Sequence, residues 1–294
     1  MKSFENKVAA ITGAGSGIGR ALAYELARQG CALALSDVNA QGLAETTEQA
    51  RKLGVKVEQT VVDVTDREAM HAWADEVVTT FGQVNAIFNN AGVAQSGTIE
   101  SNEYSDYEWV MGINFWGVVH GSKAFLPHIK ASGVGHVVNL SSIFGIFSQP
   151  GMSAYNASKF AVRGFTESLR QELDMDNCGV SASCVHPGGI KTNIANTART
   201  HASMQALTGR DNEQAKQQFN DKLARTTAQR AAQVIIKGVL TNKRRILIGG
   251  DAYTLDLLQR LMPAVYQRLM TGLMKLGLKR NSRQPVTAQS KTEA

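Results

Sequence analysis

The sequence predicts an α/β fold: a doubly wound parallel sheet in a single domain, with a helical flap and a C-terminal helical extension. Three observations carry this expectation. Short apolar runs alternate with segments of helical period, a glycine cluster stands where the first run becomes the first helix, and several runs close on small polar residues. Strands that alternate with helices of ten or more residues imply right-handed crossovers and a parallel sheet. With 294 residues and 43% hydrophobic content the chain can build a sizeable core, which excludes a disordered, collagenous or disulfide-stapled class.

The elements follow in order. Val8 to Ile11 is a strand, and Ile18, Leu22 and Leu26 then fall at helical spacing up to Gly30. Ala32 to Leu35 forms a second strand closing on Ser36-Asp37, Gln41 to Leu53 a second helix, and Val55 to Val62 a third strand ending at Asp63. A helix from Arg67 to Phe81 leads to the strand Ala86 to Phe88, which Asn89-Asn90-Ala91-Gly92 stops. The second half continues with a long helix from Tyr107 to Lys130, the strand His136 to Leu140, a helix from Tyr155 to Leu173 and the strand Val180 to His186. Residues 191–230 are polar and weakly periodic, which suits a mobile flap over a pocket. Ala228 to Thr241 reads as a helix and Arg245 to Ile248 as the last strand. The expected organisation is a catalytic domain over 1–252, an amphipathic extension over 253–281 and a disordered tail over 282–294.

The net charge of +6 invites a polyanion-binding reading, but its distribution opposes one. From Thr241 onward ten Lys/Arg face three Asp/Glu, so a basic tail is attached to a near-neutral body and no nucleic-acid partner is expected. Cys31, Cys178 and Cys184 show neither disulfide nor metal-ligand spacing; they read as packing thiols of a reducing cytosol, with no metal site. Met1 to Lys7 reaches the first strand without an apolar signal region, and no run of eighteen apolar residues spans a bilayer, so a cytoplasmic location is expected.

Thr12-Gly13-Ala14-Gly15-Ser16-Gly17-Ile18-Gly19 sits at the strand-to-helix turn, where free N–H groups and the positive dipole end suit a diphosphate. Gly13 permits the tight turn, Gly17 lets backbone approach phosphate, and Gly19 lets helix and strand pack closely. Taken alone, such a turn can also be a loop without chemical consequence. Asp37 follows Gly13 by 24 positions at the end of the second strand. A carboxylate there accepts both hydroxyls of an adenine ribose and repels a 2′-phosphate, favouring NAD over NADP, although Asp after a strand is also common turn chemistry. Arg20 is the residue most able to reverse that preference. Asp63-Val64 is either a helix cap or a wall for the adenine ring.

Tyr155 and Lys159 stand at i and i+4 on one helix face. About 0.3 such pairs are expected by chance, so the pair alone is weak, but the chemistry wants it: a phenol of pKa about 10 needs a nearby cation to act as a base near neutrality. Ser142 lies thirteen residues earlier, just past a strand end, where a doubly wound sheet places its ligands.

Together these pieces resemble the short-chain dehydrogenase/reductase family in its single-domain form. The resemblance runs from Lys7 to Thr192 through Thr12-Gly13-x-x-x-Gly17-x-Gly19, Asp63, Asn89-Asn90-Ala91-Gly92, Asn114, Ser142, Tyr155-x-x-x-Lys159 and Pro187-Gly188. It implies a seven-stranded Rossmann sheet, hydride transfer with a nicotinamide cofactor, and a catalytic tetrad of Asn114, Ser142, Tyr155 and Lys159. Family spacing also permits Ser141, and Ser142 is preferred because thirteen is the commoner interval. The implied roles are Tyr155 as proton donor or acceptor, Lys159 as the group that lowers the phenol's pKa and holds the nicotinamide ribose, Ser142 as donor to the substrate oxygen, and Asn114 as orienter of a water. Asn90, Ala91 and Gly92 are implied near the ribose, and Ile190 and Thr192, after Pro187-Gly188, near the carboxamide and diphosphate.

Substrate choice in the family lies after Pro187 and in the loops Ala94 to Thr98 and Ile143 to Met152. Here Val93, Ile143, Phe144, Ile146, Phe147, Met152 and Ile194 form an apolar set that is either pocket lining or packing. As lining it suits a small apolar substrate, a secondary alcohol or ketone of steroid, retinoid or long-chain type. Two alternatives are an NADPH-dependent 3-oxoacyl-thioester reductase, whose basic C-terminal residues hold an acidic carrier or coenzyme A, and a non-catalytic cofactor-binding regulator. Trp116, Val119, Phe125, Phe160, Phe165 and Leu169 exceed one sheet-facing stripe, so a homodimer or homotetramer is expected. Between Tyr253 and Lys279 apolar residues recur mostly at three or four among basic ones, with Pro263 between two helical pieces. That segment either packs on the body or makes peripheral contact with the inner membrane surface.

Overall fold

The apolar runs at the centre of the sheet become strands because both of their faces are covered, whereas the edge strand Val57–Val61 is largely exposed. In the computed structural model, which describes residues 1–281, β1 (Val8–Thr12) is buried at every position. Strands sealed on both faces read as continuous apolar runs rather than as alternation. There follow α1 (Gly17–Ala27), β2 (Ala32–Asp37), α2 (Ala40–Arg51), β3 (Val57–Val61), α3 (Arg67–Phe81), β4 (Ala86–Asn89) and the short β5 (Gln95–Ser96). Next come α4 (Tyr104–Met111), α5 (Gly117–Ala131), β6 (Gly135–Leu140), α6 (Ser153–Asp176), β7 (Val180–Pro187), β8 (Ile190–Lys191) and β9 (Arg199–Thr200). The chain continues through α7 (Ser203–Thr208), α8 (Asn212–Gln218), β10 (Thr226–Thr227), α9 (Ala228–Leu240), β11 (Arg245–Ile248), α10 (Gly250–Leu261) and α11 (Val265–Asn281).

Seven strands form one parallel sheet in the order β11-β7-β6-β4-β1-β2-β3. Strand order reverses between β1 and β4, which opens a crevice at their carboxyl ends where such sheets bind ligands. On one face α1 lays Leu22 and Leu26 against Ile235 and Ile236 of α9. On the other, Trp73 of α3 meets Phe125 of α5 edge to face at 4.9 Å. Val119, Phe125 and Leu169 are thus spent in or beside the core, and of the apolar surplus expected to drive assembly only Trp116 (51%) and Phe160 (37%) are prominently exposed.

Three local differences from the expectation bear on the site. The long helix begins at Tyr104, where the Asp106 carboxylate accepts from the Glu103 N–H at 3.1 Å, and it contains a π-helical turn, Gly112–Trp116. The segment 191–230 is helical as expected, but it is strapped to the body by the β5–β9 and β8–β10 pairs, which leave no pattern in so few residues. The two C-terminal helices do break around Pro263, yet the boundary expected at 252 falls inside α10. Ala252 is fully buried with Ile143 and Ile146, and Asp256 pairs with Arg245 and Arg260, so α10 belongs to the body and α11 alone is appended. The tail expected over 282–294 lies outside the described residues.

Candidate active site

The turn after β1 is a backbone cradle. Gly13 (φ +66°) and Gly17 (φ +54°) occupy the left-handed region, and a Cβ on Gly19 would stand 2.1 Å from the Gly13 carbonyl oxygen. Asn90 locks the turn: its Nδ2 donates to the Thr12 and Gly13 carbonyls at 2.9 and 3.0 Å, while the Thr12 hydroxyl accepts from the N–H groups of Asn90 and Ala91. The Asn90 side chain therefore braces the cradle. Ser16, the N-cap of α1, makes no capping bond and the first turn carries no acid, which leaves the helix donors open to an anion. Thr192 stands over Gly17, whose added Cβ would lie 3.2 Å from its methyl.

Asp37 Oδ2 accepts from Gly15 N–H at 2.8 Å, and Oδ1 from Asn39 N–H at 2.9 Å. Arg20 turns elsewhere, onto the carbonyls of Gly15 and Gly42, the Thr46 hydroxyl and Glu45, pinning the turn to α2. The cap of the helix after Asp63-Val64 is Asp66, whose side chain accepts from Ala69 N–H; Asp63 Oδ1 closes a turn by accepting from the N–H and hydroxyl of Thr65, and Val64 is buried beside Gly117. The cradle, its uncapped helix end and the carboxylate at the β2 terminus fit the diphosphate and adenine ribose of a nicotinamide dinucleotide.

Ser142, just past β6, and Tyr155 and Lys159 on α6 meet at the carboxyl edge of the sheet, all nearly buried. The Ser142 hydroxyl lies beside the Tyr155 phenol and accepts from Phe144 N–H at 3.1 Å. Ser141 points away and donates to the Lys159 carbonyl at 2.7 Å, which separates the two candidate serines. Lys159 Nζ donates to the Leu140 carbonyl at 3.0 Å and lies 5.7 Å from the Tyr155 ring centre. Asn114 sits in the π turn, a deviation frequent at functional sites. Its amide pairs with both backbone groups of Val93 and with the Ser158 hydroxyl, so its visible work is to hold the loop after β4. A Cβ on Gly92 would lie 3.1 Å from Asn114 Oδ1 and 3.4 Å from Lys159 Nζ, so that loop brings Asn114 and Lys159 together.

The electrostatics differ from the expectation in one respect. Burial raises the Tyr155 phenol above its usual range and the Ser142 hydroxyl offsets only part of this; burial also lowers Lys159 to about 8. In this arrangement the net direction for the phenol is upward, with the Lys159 ammonium hydrogen-bonded to the Leu140 carbonyl. A neutral phenol at physiological pH is a competent proton donor to a carbonyl oxygen.

The apolar set divides. Phe144 meets the Tyr155 ring edge-on at 6.3 Å, Met152 immediately precedes α6, and Ile194 is partly exposed in the 3-10 turn after β8. Ile143 and Ile146 pack with Ala252, and Phe147 is buried on Tyr266 at 4.4 Å, so these three are anchors under the loop. Two residues escaped the sequence reading. His186 is fully buried and its Nδ1 donates to the Ser142 carbonyl at 2.9 Å; burial lowers it to about 4, which keeps it neutral. Asp251 accepts from Gly189 N–H at 2.6 Å and closes against Gly188, fixing the Pro187-Gly188-Gly189 turn.

Comparison with known proteins agrees with this geometry. A family model described as short chain dehydrogenase matches residues 7–203. A Mycobacterium tuberculosis protein with the provisional name oxidoreductase SadH is 49% identical over 272 residues, 92% of this chain and 96% of that protein. Estradiol 17-beta-dehydrogenase 11 of Rattus norvegicus is 32% identical over 263 residues, 89% of this chain and 82% of its own. Among solved structures, a short chain dehydrogenase/reductase from Burkholderia phymatum in complex with NAD superposes with a TM-score of 0.82 at 31% identity, covering 98% of this chain and 100% of that one.

Proposed function

This chain belongs to the short-chain dehydrogenase family and is an oxidoreductase; on that premise we propose that it is NAD(H)-dependent and moves a hydride between nicotinamide and an apolar secondary alcohol or ketone. The observation that carries the reading is the buried Ser142–Tyr155 pair with Phe144 against the ring: a proton donor and a second hydroxyl share a site walled by an aromatic edge. When bound, a nicotinamide would supply or accept the hydride. The chain's own residues do the rest. Ser142 orients the substrate oxygen, Tyr155 gives its proton to that oxygen in reduction or takes it in oxidation, and Lys159 is placed to hold the nicotinamide ribose. Gly13 to Gly19 and Thr192 hold the diphosphate, and Asp251 and His186 keep the Gly188 turn and the Ser142 backbone in place. The steroid named for the rat relative and the NAD bound by the Burkholderia neighbour support the substrate and cofactor classes.

Asp37 supports NAD over NADP. No Lys or Arg lies from Ser36 to Gln41, and Arg20, the one nearby cation singled out in the sequence, is committed to the turn and α2. Calorimetry is expected to give NAD+ at least a tenfold tighter Kd than NADP+, about 1.4 kcal/mol. Asp37→Asn, which keeps an acceptor for Gly15 N–H and removes the charge, should narrow that gap. Equal affinities in the parent protein would contradict the preference.

For assembly we propose a homodimer through α4–α5 and α6, where Trp116 and Phe160 are exposed beside the Phe115–Phe165 edge contact. Light scattering should return twice the mass of one chain; a monomer at micromolar concentration would reject it. No helix among the described residues is long and apolar enough to cross a membrane.

A further inference from the structure

Helix α11 has two apolar faces, and the body uses only one. Tyr266, Met270 and Met274 recur every four residues; Tyr266 is buried, its ring on Phe147 and its hydroxyl accepting from Ser148 N–H, and the two methionines are half-buried. The helix also packs on flap helix α7. At 100° per residue the adjoining stripe is Val265, Leu269, Leu273 and Leu276, which are 47–66% exposed. Arg268 and Lys275 border this stripe on the side away from the body, and from Leu257 to Thr292 the chain has seven Lys/Arg and no Asp or Glu.

We propose that this face is a docking surface for a bilayer leaflet rich in anionic lipid, with α11 lying in the membrane plane. The leucines enter the acyl boundary while the bordering cations meet headgroup charge, the arrangement of an interfacial amphipathic helix. A second copy of the chain fits less well, because face-to-face packing of an acid-free basic segment sets like charges against each other. The placement also has a consequence for the pocket. Through Phe147 and Ser148 the helix touches the loop that carries Phe144, and through α7 it touches the flap, so a docked molecule turns its substrate rim toward the bilayer; this last point rests on the proposed apolar specificity.

The test is flotation of the full chain with vesicles of phosphatidylcholine alone or containing phosphatidylglycerol. The protein should float with the anionic vesicles at low salt, at least tenfold less at high salt or with neutral vesicles, and at least tenfold less after Leu269→Glu with Leu273→Glu. That variant should keep the parent's rise in Tm on adding NAD+ or NADP+. Should it fail to fold, Arg268→Gln with Lys275→Gln provides the second arm and should reduce binding to anionic vesicles selectively. The proposal is overturned if the parent stays at the bottom of every gradient, if neither variant lowers flotation, or if the leucine variant halves the mass seen by light scattering, which would make this a face between copies. Flotation needs no turnover, so its failure leaves the hydride-transfer reading standing, and failure of that reading leaves flotation unaffected.

Discussion

Tyr155→Phe lowers turnover by about two to four orders of magnitude and leaves the fold and cofactor affinity nearly unchanged. The ring that packs edge-on against Phe144 is retained, and the Ser142 oxygen keeps its bond from Phe144 N–H, so only the proton carrier is removed. The pH dependence of the parent has a definite sign. Because burial raises the phenol above its ordinary value of 10.0, the phenolate needed for alcohol oxidation is scarce at neutrality. Oxidation should therefore rise about tenfold per pH unit from neutrality upward, whereas carbonyl reduction, which uses the abundant phenol, should stay flat below the lowered Lys159 pKa of about 8. Steady-state rates in both directions check this, and near-normal turnover in the phenylalanine variant would remove Tyr155 from the mechanism.

Gly19→Val should abolish measurable dinucleotide binding, a loss of at least about a hundredfold or about 2.7 kcal/mol. Its Cβ would stand 2.1 Å from the Gly13 carbonyl oxygen and 2.6 Å from Asn90 Nδ2, and the first of these is backbone that cannot swing aside. The turn must open, separating the two glycines from the α1 donors, with a stability cost of about 1–3 kcal/mol. Gly164→Ala on α6 is the matched control: nothing lies within 4 Å of its added methyl, so binding is retained and the helix gains up to about 1 kcal/mol. Calorimetry with NAD+ and thermal melting distinguish the two. Retained affinity in Gly19→Val would show that the turn is not the diphosphate cradle.

The sheet was legible because its central strands are sealed on both faces, so β1 and β4 stand out as unbroken apolar runs between glycine and asparagine punctuation. The glycine turn and the Tyr155–Lys159 pair were legible because their spacing is local. What stayed hidden depends on distant partners. His186 lies 44 residues beyond the carbonyl it holds and Asp251 lies 62 beyond Gly189, and each reads in sequence as an ordinary strand or turn residue. The division of the apolar loop was hidden for the same reason: Phe144 and Phe147 are three apart, and only the return of Tyr266 shows that Phe147 is an anchor. The π turn that places Asn114 leaves no signature in periodicity, since it inserts a single residue into a continuous helix. Arg20 could be recognised as a cation near the cofactor turn, but not as one already committed to four oxygens.

The most direct test of hydride transfer to an apolar carbonyl uses NADH deuterated at the transferable position of its nicotinamide. A panel of steroid ketones, aliphatic and aromatic ketones, retinal, sugars and 3-oxoacyl thioesters is supplied in turn, and the products are analysed by mass spectrometry. The account predicts that an apolar ketone or aldehyde is reduced fastest, that its product carries one deuterium on the carbinol carbon, and that Tyr155→Phe suppresses this incorporation. Consumption of no carbonyl, an unlabelled product, or faster reduction of the thioesters with NADPH would contradict it.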